Sequence, residues 1–255
     1  MIKRKKIRYI SLHFAYDNGL VNNEQQIQFN SNCRFISNYL SKEVRKLNLE
    51  AINGDIKMIS VSPRKGSSTF KLKAENVLSV QPSLSEDILA QYYGTQALES
   101  RYEFYLSLLE KGYRIAEPIT GIPTESLLAM HQKFRELKFR NEWLVKKMLL
   151  REYGISIILT ACFTTVDYHL RLNVYDAKTK EMKTEGIIYR TPPHEVSYEK
   201  DIRKVYAQDG YLYIDDFLDR HFLQMSIIDI CKGILSAKKL LPGKEDEDEI
   251  KSLTW

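Results

Sequence analysis

The chain has 255 residues, 44% of them hydrophobic and 28% charged, with a formal net charge of +5. At this length roughly three quarters of the unfolded surface can be buried, so a core needs no disulfide or metal to hold it. The 16 tyrosines and 10 phenylalanines exclude a mainly disordered chain. No apolar run approaches the roughly 18 residues of a membrane span.

Met1 to Lys6 is basic, and Ile7 to Phe14 alternates apolar and polar residues. A secretory h-region would be continuously apolar for at least ~7 residues. The segment therefore predicts a first strand, ended by the turn Asp17-Asn18-Gly19, in a cytoplasmic protein. Phe35, Ile36, Tyr39, Leu40, Val44 and Leu47 recur in steps of three and four, which predicts an amphipathic helix over 31–49. Ile56 to Val61 and Phe70 to Val80 read as strands. The basic loop Pro63-Arg64-Lys65-Gly66-Ser67-Ser68 lies between them.

Ser83-Leu84-Ser85-Glu86 opens a long helix, about 85–112, which is expected to stop at Gly112. A second long helix follows at about 124–152, with Gly154 as its C-cap. Beyond Gly154 the period falls to two. Ile155 to Thr165, Tyr168 to Tyr175 and Met182 to Arg190 predict an antiparallel meander. A hairpin around Asp209-Gly210 carries it on to about 214. A third helix, about 216–239, is apolar on several sides and so is expected to be buried.

The fold class read from this order is α+β, a mixed or antiparallel sheet with the 155–214 meander packed against the helices 85–112, 124–152 and 216–239. Residues 1–244 read as one domain, with 113–124 the best place for a subdivision. Residues 245–255 read as an acidic, flexible tail. Without the last eleven residues, which hold five acids and one lysine, 37 basic and 28 acidic side chains remain, a net +9. Such a body attracts phosphates or an acidic protein.

Cys33, Cys162 and Cys231 are odd in number and far apart, with no CxxC pair, and are expected to be free thiols. The chain has no Walker loop, GxGxxG, HExxH or GxSxG, so no cofactor is expected and no catalytic residue is assigned.

Asp167, Asp176-Ala177-Lys178 and Glu181-Met182-Lys183 resemble the acid followed by Asp/Glu-x-Lys of magnesium-dependent nucleases, where two carboxylates hold the metal. Asp176 equally suits a hairpin turn. Asp215-Asp216-x-x-Asp219-x-His221 reads as a helix start capped by acids rather than as a ligand set. The segment Leu127 to Arg151 carries His131, Lys133, Arg135, Lys138, Arg140, Lys146, Lys147 and Arg151 among Phe134, Phe139 and Trp143. Exposed, such aromatics would stack on bases, but an acidic protein partner is favoured over nucleic acid.

The expected function is that of a non-enzymatic, cytoplasmic, protein-binding protein of bacterial or phage origin. Its most concrete form is an immunity or antitoxin-like inhibitor of a partner enzyme. Tyr102, Tyr105, Arg135, Arg140, Trp143 and Lys147 on the two long helices are the expected interface, because buried Tyr, Trp and Arg carry most binding energy. At helical spacing Arg140 and Lys147 share a face. The alternative is a metal-dependent nuclease or nucleic-acid-binding protein built on the 167–183 hairpin, with Asp167, Asp176 and Glu181 as ligands. No membrane partner is expected.

Overall fold

The computed structural model describes residues 5–73, 75–193, 202–240 and 249–250. The chain divides into two units, residues 1–141 and 142–255. The 113–124 segment lies inside the first of them, and the fold class is α+β.

In the first unit β1 (Tyr9–Leu12), β2 (Met58–Val61), β3 (Thr69–Lys73) and β4 (Val77–Gln81) form one sheet in the order β1-β2-β4-β3. β1, β2 and β4 run parallel, and β3 returns antiparallel to β4. Ile10, Leu12, Ile59, Val61, Leu78 and Val80 lie on one face and are all buried. α1 (Asn23–Leu47) follows β1, starting earlier than its apolar spacing indicates because Asn22 and Gln25 form a reciprocal capping box.

The expected helix 85–112 is two helices, α2 (Glu86–Gly94) and α3 (Leu98–Thr120). Gly112 does not stop α3. It lets the helix approach the sheet, since a Cβ there would stand 2.7 Å from Val61 Cγ2. α3 ends instead at Gly121, whose φ of +60° is left-handed.

The expected helix 124–152 is corrected more strongly. α4 (Thr124–Glu136) ends where Lys138 and Phe139 both take positive φ, and Asn141–Leu150 is strand β5. Asn141 anchors the turn by donating to Phe35 O at 2.8 Å and Asn38 Oδ1 at 3.0 Å.

The second unit holds two sheets. β5, β6 (Ile155–Phe163), β7 (Tyr168–Asp176) and β8 (Met182–Thr191) form a four-stranded sheet, antiparallel through β6, β7 and β8, as the alternation predicts. β9 (Lys204–Gln208), β10 (Tyr211–Asp215), β11 (His221–Ser226), β12 (Ala237–Lys239) and β13 (Glu249–Ile250) form the other. The 204–214 hairpin therefore belongs to a separate sheet rather than to the meander.

The expected helix 216–239 is β11, the short α5 (Ile227–Cys231) and β12. Its all-round apolarity comes from a strand buried by sheet packing, which periodicity alone does not distinguish from a buried helix. Tyr189 of β8 meets Phe222 of β11 edge-on, centroids 5.0 Å apart. Gly186 makes room for Leu235, whose Cδ1 would stand 2.9 Å from an added Cβ. Of the expected acidic tail, Glu249–Ile250 pairs with β12, and the rest lies outside the described residues. No described helix is long and apolar enough to cross a membrane.

Candidate functional site

The sequence-selected residues stand in different local settings. Tyr105 is fully buried, its hydroxyl 2.6 Å from that of Tyr92, so it cannot reach a partner. Tyr102 packs between Phe35 and Phe139, with centroids at 4.9 and 5.1 Å. Arg135 forms a bidentate pair with Glu103 at 2.8 Å. His131 is buried at 1% exposure. Arg140 and Lys147 are exposed, but Arg140 ends a turn and Lys147 lies on β5, so they share no helix face. Trp143 faces Tyr168, 5.9 Å away.

The nuclease ligands are also separated. Asp167 and Asp176 sit at opposite ends of β7, nine residues or roughly 30 Å apart. Asp176 accepts from the backbone N–H groups of Thr179 and Lys178, which hold its carboxyl down at about 2. That is the turn role. Glu181 is exposed and accepts from Thr179 Oγ1 at 3.2 Å. Among the described residues no three His, Cys, Asp or Glu side chains stand together as a metal-ligand set.

Asp167 has a different setting. Its Oδ1 lies 3.2 Å from His169 Nδ1, and its Oδ2 lies 2.8 Å from Arg190 Nε. Burial raises its pKa, but hydrogen bonds from His169 and Thr164 outweigh that and hold it below the usual value. Across the sheet Cys162 pairs in register with His169, so thiol, imidazole and carboxylate follow in the order of a nucleophilic triad. The electrostatics oppose that use. Cys162 is 2% exposed, and burial, with Glu142 beside it, pushes its thiol up to about 11. A reactive cysteine needs a depressed pKa and access, so this arrangement reads as a packed sheet face.

The more open constellation is the outer face of β9–β11. Val205, Leu212, Ile214, Leu223 and Met225 point inward and are buried. Strand alternation then turns Tyr206, Tyr211, Tyr213 and Gln224 outward. Tyr206 and Tyr213 are in register and stack at 5.6 Å with 27° between planes. Tyr211 adjoins Tyr213 at 6.1 Å, and His221 lies 4.6 Å from the Tyr213 ring.

Asp215 sits beneath, 4% exposed, with Oδ1 2.8 Å from His221 Nδ1 and 3.4 Å from the Tyr206 hydroxyl. This pins His221 and leaves the rest of its ring, about half exposed, toward solvent. Burial and Asp215 raise the Tyr206 pKa, so the phenol stays a neutral donor.

The Asp215-to-His221 run is therefore a strand-to-strand turn, not a helix cap. Asp216 accepts from the N–H groups of Leu218 and Arg220 and pairs with the Arg220 side chain. Arg203 and Lys204 both pair with Asp219, at 3.0 and 2.6 Å. The alternation Tyr211-Leu212-Tyr213-Ile214 and the histidine after the acids are visible in the sequence. What the sequence lacks is the register that brings Tyr206, Tyr213 and His221 together.

No family model, curated protein or solved structure matches the chain.

Proposed function

We propose that the chain is a binding protein whose partner docks on the Tyr206–Tyr213–His221 face. The most concrete form is an inhibitor of the immunity or antitoxin kind, which covers a partner protein. One observation carries the reading: three tyrosines and a histidine stand together on the outside of a sheet, with a buried aspartate fixing the histidine. Tyrosine offers a rigid apolar body with a polar tip, and on a sheet it is already ordered, so little side-chain entropy is lost on docking.

The nearby cations favour a protein over a nucleic acid. Arg203, Lys204 and Arg220 are matched by Asp219 and Asp216. A phosphate backbone needs unmatched cations along its track, whereas paired charges suit the rim of a protein interface.

The test is affinity capture from the source organism by the wild-type chain and by the Tyr206→Ala/Tyr213→Ala variant. A protein retained by the first and lost by the second supports the reading, with the purified pair binding at least tenfold more weakly in the variant. Tight binding of single-stranded oligonucleotides that the same variant abolishes would replace the protein partner with a nucleic acid.

A further inference from the structure

The two edges of the first unit's sheet are treated differently. On the β1 edge, α1 stands where a neighbouring strand would be. Ser41 Oγ accepts from Ile10 N at 3.0 Å and donates to Ile10 O at 3.1 Å. Ser37 Oγ accepts from Leu12 N at 3.1 Å, and Cys33 Sγ donates to Leu12 O at 3.1 Å. Asn30 accepts from Phe14 N at 2.7 Å, and Gln26 and Asn30 both donate to Phe14 O. Five side chains at steps of four, three, four and four thus satisfy this backbone edge in full, which closes it to any added strand.

Among the described residues the β3 edge has no such cover. All five residues of Thr69–Lys73 are exposed, and β4 is the neighbour of β3 within the sheet. By register Phe70 and Leu72 extend the apolar side of the sheet beyond the buried Val80 and Leu78. They remain 36% and 47% exposed. Lys71 and Lys73 take the alternate positions, and neither has an ion-pair partner among the described residues.

The lysines also select the occupant. A second copy pairing antiparallel through β3 in a register centred on Lys71 or Leu72 would set Lys71 against Lys71 or against Lys73, and like charges directly opposite are destabilising. An acidic strand meets the reverse situation.

We propose that β3 is a docking edge for an extended, acidic segment of a partner protein, which joins the sheet as a further strand beyond β3. Main-chain hydrogen bonds supply the affinity. Carboxylates at alternate positions face Lys71 and Lys73, and the intervening apolar residues cover Phe70 and Leu72. This edge belongs to the first unit and the tyrosine face to the second, and the proposal stands or falls without that face.

The probe is a ten-residue peptide alternating glutamate and valine, added to the 255-residue chain, with the same peptide carrying lysine for glutamate as control. Hydrogen exchange of the Thr69–Lys73 amides and fluorescence anisotropy of the labelled peptide are followed. The expected result is at least tenfold slower exchange confined to β3, with the lysine peptide inactive. Lys71→Glu/Lys73→Glu, both exposed and outside the core, is expected to weaken the glutamate peptide at least tenfold and to admit the lysine peptide. Unchanged β3 exchange at millimolar peptide would overturn the proposal, as would protection located elsewhere or binding indifferent to the charge reversal. Protection that grows with protein concentration alone would assign the edge to a second copy instead.

Discussion

His131 offers the sharpest test of how the first unit is built. It lies in α4 at 1% exposure, 5.5 Å from the Tyr113 ring, and neither ring nitrogen has a hydrogen-bond partner among the described residues. Burial, with the nearby Arg135 charge adding to it, lowers its pKa from 6.5 to about 4. The unfolded chain therefore takes up the proton first as pH falls. Stability from this residue is intact above the unfolded value of 6.5 and declines from there down to about 4.

A shift of 2.5 units at ~1.36 kcal/mol per unit gives a full loss of about 3.4 kcal/mol, of which about 2 kcal/mol is already gone at pH 5. The perturbation is His131→Phe, which keeps a planar ring beside Tyr113 and removes the titration. Urea unfolding of both proteins followed by circular dichroism between pH 7.5 and 4.5 isolates the residue, because every other titrating group is common to the two. The wild type is expected to lose about 2 kcal/mol more than the variant between pH 7.5 and 5. Parallel loss in both proteins would refute the reasoning, since His131 would then not be held neutral by its surroundings.

Other consequences are open to direct measurement. Gly112→Ala should destabilise by ~1–3 kcal/mol despite alanine's better helix propensity, because its methyl meets Val61; unfolding with and without Val61→Ala checks whether relieving the contact restores stability. Ser41→Ala strips partners from both backbone groups of Ile10, and denaturant titration should register a loss of about 1–3 kcal/mol. Thiol labelling of the native chain should reach the half-buried Cys231 first and leave Cys33 and Cys162 until unfolding; rapid reaction at Cys162 would contradict its burial. Asp176→Ala should leave any magnesium-dependent plasmid cleavage unchanged, and its abolition would return that carboxylate to a ligand role.

Legibility in the sequence followed the physics of each segment. The meander was readable because β6 and β7 bury one face along their length, so an inward-facing, mostly aliphatic residue recurs at every second position within each strand. Two consecutive left-handed residues, Lys138 and Phe139, ended the expected 124–152 helix without glycine. β11 and α5 misled for another reason, because sheet packing in the second unit made their surroundings apolar and erased any single period. The tyrosine face depends on register between strands, which composition does not carry, and tyrosines such as Tyr105 belong to the core. The polar stripe of α1 is written plainly in its spacing, but serine and asparagine on a helix read as solvent-facing until the strand beside them is known.

That stripe changes what it means for β1 to be part of a sheet. The amides of Ile10, Leu12 and Phe14 are held by side chains of α1 rather than by another strand. Their hydrogen exchange therefore reports departure of the helix, while Tyr9 and His13, bonded to Lys57 O and Val61 O, report separation of β1 from β2. A six-residue stretch thus carries two independent clocks, read on alternate amides. If helix and strand leave together, the two clocks agree, and β1, α1 and β2 form one cooperative folding unit.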